Sequence, residues 1–131
     1  MQLVLDASAA LQLASSPQGF AHLGDHDLVA PPLMWSGAIA VLHESQWRGD
    51  ISASLALETR ARILTAPVRA HIGMQPLVDA WQIADQLGWA KTYDAEYVAL
   101  AQLLGCRLVT LDLRLRRGAD RLGLVVTPGE L

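Results

Sequence analysis

Short apolar runs that alternate with helical segments constrain this chain more than any other feature. Gln2–Leu5 is a short, mainly apolar run ended by Asp6, the pattern of a buried strand. Ala7–Ala14 reads as a helix with Asp6 or Ser8 near its N-terminus, and Ser15-Ser16-Pro17 with Gly19 breaks it. Leu28–Ala30 reads as a second strand, closed by Pro31-Pro32. Leu33–Trp47 and Ser52–Leu64 follow as helices, parted by Gly49-Asp50, with Ser52 capping the second. Pro67–Ile72 fits a strand, with Val68, Ala70 and Ile72 alternating. Gln75–Leu87 is helical as far as Gly88. Asp94–Leu104 is helical and apolar nearly all round, so it should be buried on most sides. Gly105 ends it. Leu108–Leu111 is then a strand, Leu113–Arg117 a turn of helix and Leu124–Thr127 a last strand. Such alternation predicts an α/β fold, a short and mostly parallel sheet of four or five strands between helical layers.

The 131 residues suit a single domain spanning 1–131. Hydrophobic residues make up 52%, which excludes intrinsic disorder and points to a strongly buried sheet, an oligomer face, or both. No apolar run approaches the ~18 residues a membrane span needs. The start, Met1-Gln2-Leu3, lacks the basic region of a signal peptide. One cysteine, Cys106, rules out an internal disulfide and argues against a Cys-rich zinc site. A cytoplasmic protein is expected. Net charge is −3, which is not the balance of a nucleic-acid binder. The distribution differs from the sum: five arginines lie between Arg107 and Arg121, and Lys91 is the only lysine. A local basic edge can hold a phosphate backbone on an acidic domain; it can equally be a solvated face.

Three acids occupy equivalent places. Asp6 ends the first strand, Asp112 follows Leu108–Leu111, and Asp94 opens the helix that leads into that strand. In open parallel sheets, ligands bind outside the C-terminal ends of the strands. Asp6 and Asp112 should project there, and Asp94 reaches the same rim if its helix starts there. Each acid alone is also an ordinary helix cap. Together on one rim they would repel one another and raise their own pKa values, a cost that a divalent cation relieves. Oxygen donors without a nearby histidine or cysteine suit Mg²⁺ or Mn²⁺. Ser8 and Thr110 flank two of the acids and can bond the carboxylates or metal-bound water, or be plain turn and strand residues.

With these residues in view, the sequence resembles the PIN-domain family. Leu3-Val4-Leu5-Asp6-Ala7-Ser8-Ala9-Ala10-Leu11 looks like the family's opening, and Ala30-Pro31-Pro32-Leu33 with Trp35 like its second motif. Tyr93-Asp94-Ala95-Glu96-Tyr97-Val98-Ala99-Leu100-Ala101 looks like its third, and Leu108-Val109-Thr110-Leu111-Asp112 like its fourth. At this size the match is to the VapC toxin branch of toxin–antitoxin pairs. The resemblance implies a PIN-like three-layer sandwich and an Mg²⁺- or Mn²⁺-dependent endoribonuclease. It implies that Asp6, Asp94 and Asp112 match three of the family's four metal-holding acids. It also implies an RNA substrate, a VapB-like antitoxin as inhibitor, and a homodimer.

The fourth acid is missing. The family usually has a glutamate about two residues past the Trp35 position, where this chain reads Trp35-Ser36-Gly37-Ala38. A mid-helix glycine costs up to about 1 kcal/mol relative to alanine, so local helix stability does not ask for Gly37. The resemblance therefore carries an alternative, a weakened or silenced PIN domain that works by binding its antitoxin or RNA. Glu44 is two turns on from Gly37 on the same face, about 10 Å along the axis. It is a candidate ligand, though at that distance a solvated helix-end residue is the plainer reading. Arg114, Arg116 and Arg117 follow Asp112 and suit a phosphate, or a solvated helix end. His22 and His26 lie four apart, but Gly24 and Asp25 between them read as a loop rather than a ligand pair. Trp35, Trp47, Trp81 and Trp89 read as core or interface anchors. Apolar residues of Leu33–Trp47 and Ser52–Leu64 beyond the core stripe suit a groove for an antitoxin segment. A nucleotide-binding Rossmann unit is excluded, because no Gly-x-Gly-x-x-Gly turn follows the first strand. A phosphorylated receiver domain would need paired acids there and a lysine partner near the site, and the only lysine, Lys91, sits before the Asp94 helix.

Overall fold

The computed structural model describes residues 1–131. Five strands, β1 (Gln2–Leu5), β2 (Asp27–Ala30), β3 (Val68–Ala70), β4 (Arg107–Val109) and β5 (Val125–Val126), form one sheet in the order β3-β2-β1-β4-β5. Every pairing is parallel, with Leu3 opposite Leu28 on one side and Arg107 on the other. Six helices connect and cover it: α1 (Ala7–Ala14), α2 (Leu33–Trp47), α3 (Ala53–Leu64), α4 (Gln75–Leu87), α5 (Tyr93–Leu104) and α6 (Leu113–Ala119).

The period-2 geometry of a strand decides which layer each side chain joins. Val4, Val29 and Leu108 face one way and pack with Ala80 and Ile83 of α4 and Val98 and Leu100 of α5. Leu3, Leu5, Leu28 and Val109 face the other way and pack with Ala9 and Leu13 of α1. A smaller cluster joins Ala14 to Ala38 and Leu42 of α2 and to Ala56 and Ile63 of α3. The expected three layers are thus present, with a sheet buried on both faces as parallel sheets require.

Local signals account for the element ends. Ser52 Oγ accepts from the Leu55 N–H at 3.1 Å and starts α3. Gly88 and Gly105 close α4 and α5 at φ 74° and 66°, where a side chain would be strained. Three expectations are corrected. The third strand is only Val68–Ala70, and Ile72 is 80% exposed, because the chain leaves this edge strand after the His71 N–H donates to the Ala30 carbonyl. The buried helix begins at Tyr93, so Asp94 lies within its first turn rather than capping it. Trp47 and Trp81, at 83% and 70% exposure, are not core anchors, whereas Trp35 and Trp89 pack partly buried against the main core. The segment holding His22 is a 3₁₀ turn, Phe20–Leu23, which leaves His26 outside any helix face shared with it.

Trp89 also yields a packing prediction. A Cβ on Gly118 of α6 would lie 2.7 Å from Trp89 Cζ2 and 2.8 Å from Nε1. Gly118→Ala must therefore push the indole aside, and overpacking of this kind costs about 1–3 kcal/mol. Thermal unfolding should show a midpoint several degrees lower, with a change in Trp fluorescence. An unchanged midpoint and spectrum would mean that the ring does not rest on α6.

Candidate functional site

The sheet order sets the site. Because β1 and β4 are parallel neighbours, with Leu5 opposite Val109, their C-terminal ends lie side by side. Asp6 follows one and Thr110-Leu111-Asp112 the other, and the Asp6 N–H donates to the Val109 carbonyl at 3.2 Å. Asp6 is buried, and donors surround its carboxylate. Ser8 Oγ donates to Oδ1 at 2.7 Å, the Ala9 N–H donates to Oδ1 at 2.9 Å, and Thr110 Oγ1 donates to Oδ2. The Ser8 and Thr110 hydroxyls are themselves held, accepting from the Leu111 N–H at 2.9 Å and the Asp112 N–H at 3.0 Å. Ser8 and Thr110 thus both bond the Asp6 carboxylate.

Asp112 caps α6, its Oδ1 accepting from the N–H groups of Arg114 and Leu115 at 2.9 and 3.3 Å. Asp6 likewise caps α1. Capping and clustering are therefore not alternatives, since the same carboxylates do both. Asp6, Asp94 and Asp112 line one cleft of ≈ 420 Å³ with Ser8, Gly37, Tyr93 and Tyr97. None of the three acids is in an ion pair. Tyr93 and Tyr97, four residues apart on α5, are cleft residues that sequence reasoning passed over. Their spacing around Asp94 was the available signal.

The three acids carry a surplus of negative charge that hydrogen bonds and Arg114 offset only in part. Asp6 is pushed above the usual carboxylate range by burial, and Asp112 adds to the rise against the opposing hydrogen bonds. Asp94 is raised by burial, then by Asp112 and Asp6, with Arg114 offsetting part. Burial and Asp6 raise the Tyr97 phenol, so it stays protonated beside them. Oxygen donors with surplus negative charge are what Mg²⁺ or Mn²⁺ takes. The three do not converge as a closed cage, for no group of three His, Cys, Asp or Glu side chains is drawn together tightly enough to hold an ion outright. The donor chemistry fits a hard cation that keeps several waters.

A pH prediction follows. A carboxyl whose folded pKa exceeds its unfolded value binds protons more tightly when folded, so stability grows as pH falls through the folded pKa. The metal-free protein should therefore melt at a higher temperature as pH drops from neutral toward the ordinary carboxylate range. Glu130 acts oppositely but lower, since Arg116 and Thr127 pull its carboxyl to about 2 from an ordinary 4.5. Calorimetry in EDTA would show the rise. A flat or falling midpoint across that window would contradict it.

The other candidates are scattered. Glu44 does not line the cleft; it pairs with Arg48 at 2.6 Å on the exposed end of α2. Gly37 does line it, and a Cβ there would meet only Ala7 Cβ at an ordinary 3.5 Å. Arg116 pairs with Glu130 at 2.6 Å and is already engaged. Arg117 is exposed, and Arg114 reaches a neighbouring cleft that shares Asp94.

Comparison with known proteins bears on family and fold. The PIN domain family matches residues 3–121. The chain is 36% identical over 119 residues to VapC ribonuclease Mb0985 of Mycobacterium bovis and to Ribonuclease VapC9 of Mycobacterium tuberculosis, covering 86% of this chain and 87% of each relative. Among solved structures, PAE2754 from Pyrobaculum aerophilum superposes with a TM-score of 0.79 at 21% identity, over 99% of this chain and 91% of that one. A toxin–antitoxin complex from Klebsiella pneumoniae gives 0.62 at 17% identity, over 96% and 97%. Both structural likenesses concern the fold.

Proposed function

This chain belongs to the PIN-domain family, on its VapC side, and from that premise we propose that it is a metal-dependent endoribonuclease toxin. The observation that carries the reading is the meeting of Asp6, Asp94 and Asp112 in one cleft with no ion-pair partner among them. These three acids would hold Mg²⁺ or Mn²⁺ together with several retained waters rather than as a closed cage. When bound, the cation makes water a better nucleophile and offsets the charge that develops on the phosphate. Ser8 and Thr110 are positioning residues that fix Asp6. Tyr97, kept neutral, walls the cleft without adding to its charge.

The protein partners in this reading are a VapB-like antitoxin and a second copy of the chain. Exposed Trp47, Leu57 and Leu64 on α2 and α3 supply apolar surface for a helical antitoxin segment. No helix is long and apolar enough to cross a membrane, and we assign the toxin's action to the cytoplasm, where its RNA substrate is.

A second reading, a silenced nuclease that acts by binding, is favoured by one observation: Gly37 lines the cleft where the family usually has an acid. One experiment separates the two. Purified, antitoxin-free protein is given defined tRNAs with Mg²⁺, with Mn²⁺ and with EDTA. Cleavage that appears with metal and stops in EDTA is expected. Cleavage unaffected by EDTA would overturn the nuclease assignment, and absence of cleavage on every RNA tried would favour the silenced form.

A further inference from the structure

A second cleft, of ≈ 510 Å³, lies between the α4–α5 connection and the start of α6, and it shares Tyr93 and Asp94 with the acidic cleft. Its character is opposite. Lys91 and Arg114 line it, and neither is in an ion pair. Asp94 is its one acid. Two contacts brace the wall: Trp89 packs against Gly118, and Arg121 Nη2 donates to the Gln86 carbonyl at 2.6 Å, tying the segment after α6 to α4. Tyr93, at the boundary of both clefts, is 58% exposed, although Ala95, Tyr97 and Val98 further along α5 are buried. Two free cations and an exposed aromatic ring beside an acidic cleft make a combination that packing does not call for.

We propose that this basic cleft is the subsite for the nucleotide next to the cleaved phosphodiester of a single-stranded RNA, with Lys91 and Arg114 taking its phosphate and Tyr93 stacking its base. The proposal rests on the nuclease reading above and adds to it where the strand lies. Cationic side chains supply sequence-independent affinity through the phosphates, and an aromatic ring adds stacking that tolerates any base. The acidic cleft alone repels a polyanion. A basic cleft sharing Asp94 and Tyr93 with it anchors the strand so that the adjoining phosphate meets the carboxylates.

The test is binding without cleavage: fluorescence anisotropy of a short, fluorescein-labelled, mixed-sequence single-stranded RNA with the full chain in EDTA. Lys91→Gln and Arg114→Gln should each weaken binding about five- to tenfold at low salt and flatten the salt dependence by about 0.7 in log–log slope. Tyr93→Leu should weaken it about tenfold, while Tyr93→Phe stays close to the unmodified chain. Arg60→Gln removes an exposed, unpaired charge on α3 and should leave affinity within about twofold, by the same per-phosphate reasoning. Thermal unfolding of each variant checks the fold. The proposal is overturned if Lys91→Gln, Arg114→Gln and Tyr93→Leu bind like Arg60→Gln, or if Tyr93→Phe loses as much as Tyr93→Leu. In those cases metal-dependent cleavage by the unmodified chain persists and the nuclease reading stands. If the unmodified chain neither binds nor cleaves RNA, both fall.

Discussion

Asp6→Asn should reduce metal-dependent RNA cleavage about 10³-fold, the size expected when several kcal/mol of metal-assisted stabilisation are lost, and should leave the fold as stable as before or more so. The two halves come from different properties of one side chain. Asparagine retains an oxygen that can accept from the Ser8 hydroxyl and the Ala9 N–H, and it caps a helix as well as aspartate does; its NH2, standing where Oδ2 was, can donate to Thr110 Oγ1, whose own proton then turns to Ser8 Oγ 3.3 Å away. It removes the charge that burial and Asp112 penalise. A residue needed only for folding would lose stability and activity together. Cleavage assays beside thermal unfolding in EDTA separate these cases. A variant that melts well below the parent would make Asp6 a structural residue, and one that cleaves normally would end its assignment as a metal holder.

Why Asp6 and Asp112 were legible, and other residues were not, has a physical cause. Each follows a run of β-forming apolar residues, so its place at a strand end is written in local pattern. Their adjacency is not local, because β1 and β4 are separated by two other strands and five helices in the chain. Only the parallel crossover order brings Leu5 beside Val109. The resemblance of the four segments to known motifs stood in for that long-range information. No such proxy existed for Trp47 or Trp81. An apolar residue on a helix does not disclose whether its face meets the core or solvent, and both of these face out. Ile72 keeps the alternating pattern although the edge strand's last backbone pairing is at Ala70. Glu44 shares a helix face with Gly37, but two turns carry it beyond the cleft to Arg48. Tyr93 was hidden by the apolar character of the helix it begins.

Gly37→Glu should turn the three-acid cleft into a four-acid one, and its stability should depend on metal in a way that Gly37→Ala does not. Alanine at this mid-helix position gains up to about 1 kcal/mol from helix propensity alone, and its Cβ has room beside Ala7. Glutamate gains most of that propensity but adds a fourth negative charge to carboxyls already raised by burial and by one another. In EDTA, Gly37→Glu should therefore melt below Gly37→Ala. Adding Mn²⁺ should reverse the order, because a ligand that binds only the folded state stabilises it in proportion to the logarithm of its affinity. A tenfold tighter site corresponds to about 1.4 kcal/mol at saturating metal. Cleavage should rise by at least as much. If Gly37→Glu answers Mn²⁺ no more than Gly37→Ala does, the added carboxylate does not reach the metal. If the unmodified chain already cleaves as fast as Gly37→Glu, three acids are enough. The order of the two melting points with and without metal thus tells a cleft that lacks a ligand from one that never needed it.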